Sequence, residues 1–118
     1  MDAPVSKTEL IAALNDTFRS SPVPQGVSGK KLITRGISDL DEITRIEIWQ
    51  KVQAFSDFTE DNDPYGEHDF GAFDHPKAGK VFWKIDTYAD ERCEWGSEHP
   101  DDPARSFRVL TIMLAEEW

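Results

Sequence analysis

The first part of the chain spaces its apolar residues as an amphipathic α-helix does. Leu10, Leu14 and Phe18 recur at intervals of four residues, which places them on one face of a helix. The preceding Ser6–Glu9 segment has the Ser-x-x-Glu form of a capping box, a common start of a helix. The pattern therefore predicts a helix over residues 7–19, followed by a loop rich in Pro and Gly.

A second helix is predicted after a short strand at Lys31–Arg35. It begins at the capping signal Ser38–Asp41 and runs to about Phe55. Its apolar residues recur at every third position, so the apolar stripe winds around the helix axis. We therefore expect this helix to be packed on more than one side, or to present one flank to a partner.

Two later segments alternate apolar and polar residues as β-strands do. Glu67–Asp74 and Lys80–Tyr88 are separated by a short turn containing Pro and Gly, which predicts an antiparallel hairpin. On the second strand, Val81, Trp83 and Ile85 share one face. The outer face of the hairpin is then predicted to carry Glu67, Asp69, Phe73, Phe82, Lys84, Asp86 and Tyr88.

The last part of the chain fits two kinds of structure. Asp102–Pro103 suits the start of a helix, and Phe107, Leu110 and Leu114 continue a helical stripe. Several residues between them are β-branched, which is typical of a strand. We favour the helix, which would pack over the outer face of the hairpin or leave that face open.

Together these elements predict an α+β fold. The expected order is helix, strand, helix, an antiparallel meander of two or three strands, and a C-terminal helix, with Arg92–Trp95 as the optional third strand. The length suits a single domain over residues 1–118. Residues 1–5 are expected to form a disordered tail.

The charge of the chain changes this picture, because it is concentrated in one stretch. Residues 57–102 carry fourteen acidic and four basic side chains, an excess equal to the net charge of −10. Such a charge repels nucleic acid and anionic membranes, so the expected partner is a basic protein surface. The lone Cys93 forms no internal disulfide, and no signal peptide or membrane span is visible. We expect a cytoplasmic protein.

The acidic stretch contains the beginning of a calcium-binding loop but not the rest of it. After Asp61 and Asp63, an EF-hand needs further oxygen ligands where this chain has Tyr65 and Ala72. A looser Ca²⁺ or Mg²⁺ site remains an alternative, and no other cofactor is expected. That site would use Asp61, Asp63, Glu67 and Asp69.

Catalytic signatures are missing from the sequence. His68 lies between two acids, but strand alternation would point its side chain away from both. Glycine-rich phosphate loops are absent. Cys93 follows Glu91 and precedes Glu94, and neighbouring negative charge disfavours a reactive thiolate. These observations favour a non-catalytic protein over an enzyme.

Three segments together resemble a known family. They are FTEDNDPYGEHDFG at Phe58–Gly71, VFWKIDTY at Val81–Tyr88, and DPA at Asp102–Ala104 with RVLTIMLA at Arg108–Ala115. The chain resembles, over about residues 7–118, the bacterial family catalogued as domain of unknown function 3768. The resemblance implies no established activity. It implies accessory cargo of plasmids and integrated elements, near genes of anti-restriction type.

Two functions follow as hypotheses. The first is a small acidic binding protein of mobile elements that occupies a basic nucleic-acid-binding site on a defence-type partner. Anti-restriction or anti-CRISPR-like inhibitors act in this way. The physical reason is that regularly spaced carboxylates imitate the phosphates of a nucleic acid. The alternative is a metal-dependent enzyme or metal-stabilised domain, and the long helix could also support a homo-oligomer. The candidate partner-binding residues are Asp61, Asp63, Tyr65, Glu67, Asp69, Phe73, Asp86 and Tyr88.

Overall fold

The computed structural model describes residues 5–118, and its first helix begins where the capping box predicts. Helix α1 spans Lys7–Ser20. The Ser6 side chain accepts a hydrogen bond from the Glu9 amide at 3.1 Å. Most of the predicted disordered tail, residues 1–4, lies outside the described residues.

The next elements follow the prediction with shifted boundaries. Strand β1 spans Gly29–Ile33 and leads into a short, unpredicted helix α2 at Arg35–Ser38. Helix α3 spans Glu42–Ala54, and the Asp41 side chain caps it by accepting from the Thr44 amide at 3.1 Å. The first capping signal therefore locates the start of α1 correctly. In the second signal, Ser38 ends α2, and α3 begins only after Asp41.

A four-stranded mixed sheet completes the fold. Strand β2 spans Phe70–His75, β3 spans Gly79–Tyr88 and β4 spans Phe107–Leu114. The spatial order is β1-β4-β3-β2, with β1 parallel to β4 and the other pairs antiparallel. The α+β prediction is confirmed, whereas the predicted meander and C-terminal helix are wrong.

The C-terminal segment forms a strand because it is buried on both faces of the sheet. Val109 and Met113 are buried on one face, and Leu110 and Ile112 on the other. A strand buried on both sides has a nearly continuous apolar run, which also satisfies a helical stripe. The optional strand at Arg92–Trp95 does not form, and only an isolated bridge between Tyr88 and Gly96 lies beside that region.

The core lies between one face of the sheet and the two long helices. Trp83 is fully buried at its centre, and Val81 and Ile85 share its face, as the alternation predicts. The other core side chains include Phe18 of α1, Ile48 and Val52 of α3, and Leu110 and Ile112 of β4. The opposite face of the sheet, which we call the outer face, carries the remaining alternate residues.

The hairpin register differs from the predicted one and moves Phe73 to the core side. Phe73 pairs with Val81 and packs against the core, whereas Ala72 pairs with Phe82 on the outer face. Gly71 lies opposite Trp83, and a Cβ there would collide with the indole ring at Nε1. The close packing of Trp83 on a glycine therefore decides which β2 residues face the helices.

The C-terminal residues fold back onto α2. Glu117 accepts hydrogen bonds from the Thr34 hydroxyl at 2.6 Å, from the Leu114 amide at 2.9 Å and from the Gly36 amide at 3.0 Å. These bonds, above all the one from Thr34, hold the pKa of Glu117 below its usual value. No helix formed by residues 5–118 combines the length and the apolar content needed to cross a membrane.

Candidate binding face

Within residues 5–118, both long helices pack on the other face of the sheet, so no long helix covers the outer face. The C-terminal segment, which as a helix would have covered this face or left it open, is instead strand β4 of the same sheet. Phe82, Lys84, Asp86 and Tyr88 alternate along β3 on this face and all remain half-buried. The sequence allowed either a helix packed over these side chains or a face without such a helix, and the structure has the face without it.

Three aromatic rings form a cluster at one end of this face. The ring centroids of Phe70 and Phe82 lie 5.4 Å apart, and Trp118 lies 5.3 Å from the first and 5.6 Å from the second. Trp118 contacts both rings at its edge and is 68% exposed. Neither Phe70 nor Trp118 was among the predicted binding residues. Phe70 was assigned to the core face because the predicted hairpin register was wrong, and Trp118 reaches the outer face only through the C-terminal turn.

Charged side chains occupy the middle of the outer face. Lys84 and Asp86 form a salt bridge of 3.0 Å. Beside them a groove of about 240 Å³ runs over β1, β4 and β3, with Tyr88 and Cys93 at its wall. The predicted binding residues Asp86 and Tyr88 thus lie where the alternation placed them.

A group of like charges lies where the loop of residues 55–69, which we call the acidic loop, enters β2. Partial desolvation raises the pKa of Glu67, and the charges of Asp69 and Asp63 add to the shift. Desolvation also raises the pKa of Asp69, with further contributions from Asp63 and Asp86. Within residues 5–118, neither Glu67 nor Asp69 forms a salt bridge. We call Asp63, Glu67, Asp69 and Asp86 the acidic cluster.

Asp63 differs from the other members, because it is buried and satisfies the loop itself. Its carboxylate accepts from the His68 amide at 3.2 Å, and His68 has the left-handed φ of 55°. Its predicted role in contacting a partner is therefore corrected: this carboxylate holds the turn that precedes β2.

The His68 side chain connects the loop to α1. Its Nδ1 lies 2.9 Å from a carboxylate oxygen of Asp16, and its Nε2 lies 3.8 Å from Asp63. Phe58 stacks on the imidazole with ring centroids 3.9 Å apart. Both ring nitrogens therefore face carboxylates, one on α1 and one in the loop, and the imidazole holds the loop against α1.

Two further α1 side chains support this connection. Arg19 donates to the Val52 and Phe55 carbonyls at 3.0 and 2.9 Å, and contacts Asp16 at 3.0 Å. Asn15 donates to the Glu67 carbonyl at 2.9 Å. The role of Arg19 and Asn15 in holding the loop was not predicted from the sequence. The only local signal was the i,i+3 spacing of Asp16 and Arg19, which is common on helices.

The remaining predicted site residues fall into two groups. Asp61 and Tyr65 are exposed in the loop before β2, and Tyr65 is among the most exposed large side chains of residues 5–118. Phe73 is corrected, because its ring lies on the core side near Lys51, with the ammonium 5.8 Å from the ring centroid. The outer-face role expected for Phe73 is filled by Phe70.

In the part of the chain that the structure describes, the acids named for the alternative Ca²⁺ or Mg²⁺ site are not arranged as a set of metal ligands. Among residues 5–118, no three His, Cys, Asp or Glu side chains are arranged so that they could hold a metal ion. Asp61, Asp63, Glu67 and Asp69 are neighbours in sequence, but the turn directs Asp63 inward, to His68.

Neutralising Glu67 and Asp69 together is expected to stabilise the protein at neutral pH. Both pKa values are raised in the folded state, so ionisation of these groups opposes folding above the raised values and ceases to do so as pH falls through them. Glu67→Gln with Asp69→Asn should add no more than about 1 kcal/mol, because both carboxyls keep contact with solvent.

Urea denaturation at neutral and acid pH measures this difference. The gain over the unmodified chain should shrink as pH falls toward ordinary carboxyl pKa values. Glu60→Gln with Asp61→Asn makes the same change of net charge on exposed residues of the same loop. An equal gain from this control pair would show that net charge, rather than the acidic cluster, sets the effect.

Comparison with known proteins identifies a family without an assigned activity. The family model described as "Protein of unknown function (DUF3768)" matches residues 33–117. The matched range begins at the end of β1 and contains α3, the acidic loop and the other three strands. No curated protein and no solved structure gives a significant match.

Proposed function

We propose that this chain, which belongs to the DUF3768 family as its motifs indicated, is a small acidic, non-catalytic protein that binds a basic protein surface. The observation that carries the proposal is the acidic cluster. Glu67 and Asp69 repel each other and form no salt bridge within residues 5–118. Desolvation first, and the neighbouring negative charges second, oppose ionisation of these groups on folding, and a cation supplied by a partner would offset the repulsion between the carboxylates.

The surroundings of the cluster support binding rather than mere solvation. Phe70, Phe82 and Trp118 lie on the adjoining outer face, and Tyr65 extends from the loop. Exposed aromatic side chains supply much of the binding energy at protein interfaces, and nearby charges select the partner. The contacts of His68 with Asp16 and of Asn15 with the Glu67 carbonyl tie the loop to α1, and ordering a loop before binding lowers the entropy lost on binding.

The partner we infer is a protein whose own ligand is nucleic acid. Carboxylates of Asp61, Glu67 and Asp69 present closely spaced negative charge, and Lys and Arg bind carboxylate and phosphate in similar ways. A net charge of −10 would steer the chain to such a surface. A defence-type nucleic-acid-binding protein of the cytoplasm has the required chemistry.

Affinity capture from the native cell tests the proposal. The unmodified chain should retain a basic protein that the triple variant Asp61→Asn, Glu67→Gln, Asp69→Asn loses, with affinity reduced at least about tenfold and falling steeply with salt. Asp63 is left unchanged because its carboxylate holds the loop.

The matched control removes three charges elsewhere in the acidic stretch. Glu91→Gln, Glu94→Gln and Glu98→Gln alter exposed residues outside the acidic cluster. We expect this variant to retain the partner nearly unchanged. Recovery of the same proteins by the triple variant and the control would contradict the proposal, as would binding that is independent of ionic strength.

A further inference from the structure

Strand β2 has one edge whose backbone groups lack hydrogen-bond partners within residues 5–118. In the sheet order this strand is the last, and it pairs only with β3. The Ile85 amide donates to the Asp69 carbonyl at 2.8 Å, which makes these residues a hydrogen-bonded pair. Alternation along an antiparallel pair then directs the backbone groups of every second β2 residue away from β3. The residues whose N–H and C=O groups point outward are Phe70, Ala72 and Asp74.

The opposite edge of the sheet is protected in a way that the β2 edge is not. Strand β1 has the sequence GKKLI, and lysines on an edge strand discourage pairing with another chain. The ammonium of Lys31 also donates to the Ser21 carbonyl. Strand β2 has the sequence FGAFDH, without Lys, Arg or Pro. Such an edge is where a peptide in extended conformation can join a sheet as a further strand.

The charges beside β2 select the kind of strand that fits. Asp69 precedes the strand, Asp74 lies near its end, and both are exposed. Two lysines lie near β2, Lys80 opposite Asp74 and Lys51 over an aromatic ring of the strand. Within the described part of the chain, neither lysine forms a salt bridge with these two acids. An added strand that carries Lys or Arg would supply the missing cations.

The outer face adds an apolar contact to this selection. Side chains of an added strand that point to the outer face would continue the row of Phe70, Ala72 and Asp74. Phe70 lies 5.3 Å from the ring of Trp118, which is 68% exposed. An apolar side chain therefore fits beside Phe70, and a basic one fits beside Asp74. The complementary segment is extended and contains both basic and apolar residues.

We propose that β2 binds an extended, basic segment of the partner as a fifth strand of the sheet. The inference rests on the proposed function and specifies how the partner binds. Backbone hydrogen bonds at the open edge provide the docking, and Asp69 and Asp74 select Lys or Arg. A second copy of this chain suits the edge less well, because two chains of net charge −10 repel each other.

Amide hydrogen exchange followed by NMR tests the contact with a synthetic peptide. The probe has about eight residues of alternating lysine and valine, enough to span β2. Its control has the same sequence with every backbone amide N-methylated, which keeps the charge and removes the donors. The probe should slow exchange of the Ala72 and Asp74 amides at least about tenfold. The Lys31 amide, on the outward side of β1, should be unchanged.

A proline at the edge tests the same hydrogen bonds from the side of the protein. Ala72→Pro removes an outward N–H and leaves the bonds to β3 in place. It should weaken binding of the probe peptide at least about tenfold. Ala72→Val is the matched control, because it keeps the N–H, and it should bind as the unmodified chain does. Circular dichroism verifies that both variants are folded.

Several results would overturn the strand addition. They are failure of the probe to bind, equal binding of the N-methylated peptide, equal protection of the Lys31 amide, and self-association of the chain that slows exchange at the β2 edge without peptide. Binding of the probe without protection of Ala72 and Asp74 would also overturn it. That last result would leave the proposed function standing, because the capture experiment with the triple variant tests the acidic surface independently of the edge.

Discussion

Replacing Trp83 with alanine is expected to remove about 3–5 kcal/mol of the free energy of unfolding. Trp83 is fully buried, and its ring contacts Phe55 and Phe58 at centroid distances of 5.4 and 6.1 Å. The Arg19 guanidinium lies 5.0 Å from the indole centroid. Truncation leaves a large cavity between β3 and both long helices, and a domain of this size has only about 5–15 kcal/mol in total.

Urea denaturation followed by circular dichroism measures the loss. Trp95→Ala provides a matched control, since Trp95 is 73% exposed and its truncation should change the free energy of unfolding by no more than about 0.5 kcal/mol. Similar losses in the two variants would contradict a core centred on Trp83. Because Trp83 supports Phe58 and Arg19, we also expect Trp83→Ala to loosen the loop that carries the acidic cluster.

Replacing Arg108 with alanine is expected to lower the free energy of unfolding by about 3 kcal/mol. Arg108 is fully buried, and its guanidinium donates to the Asn15 side chain at 2.7 Å and to the Pro100 carbonyl at 2.6 Å. Burial lowers its pKa. Alanine would leave the Asn15 side chain and the Pro100 carbonyl without this donor. It would also open a cavity under α1 where the guanidinium is now buried.

Thermal and urea denaturation of Arg105→Ala supply the comparison. Arg105 is three residues away, its side chain is 63% exposed, and it forms a surface salt bridge of 3.5 Å with Asp102. Its loss should change stability by no more than about 1 kcal/mol. A small effect of Arg108→Ala, close to that of Arg105→Ala, would show that the guanidinium is not required in the core.

These two substitutions connect the core to the candidate site. Asn15 accepts from Arg108 and donates to the Glu67 carbonyl, so one side chain couples the start of β4 to the acidic cluster. Arg19 joins Trp83 to Asp16 in a similar way. We therefore expect partner binding to fall in Arg108→Ala by more than the fraction of unfolded protein explains.

The acidic part of the site was accessible to sequence analysis, whereas its support was not. Glu67, Asp69 and Asp86 were identified from local charge, and alternation placed Asp86 on the correct face. The prediction that Glu67 and Asp69 lie on the outer face of a strand was wrong, because β2 begins only at Phe70. The structure brings Asp69 within electrostatic reach of Glu67 and of Asp86. The contact between His68 and Asp16 joins residues 52 apart in the chain. No local pattern specifies such a pair, because its formation depends on how α1 packs beside the loop.

The features that were predicted correctly from the sequence depend on interactions between residues close together in the chain, or on composition. Capping side chains act within one turn, so Ser6 located the start of α1, and the signal Ser38–Asp41 located the start of α3 to within one turn. Side-chain alternation along a strand has a period of two, so the buried face of β3 was correct. The excess of acids in residues 57–102 is likewise a property of composition.

Long-range pairing decided the rest. Residues 107–114 become an inner strand because β1 and β3, both distant in sequence, supply hydrogen-bond partners on either side. Their apolar run suits both a helix and a strand with buried residues on both faces. The packing of Trp83 on Gly71 sets the hairpin register and moves Phe73 inward. With no C-terminal helix to cover it, the outer face stays open beside the acidic cluster.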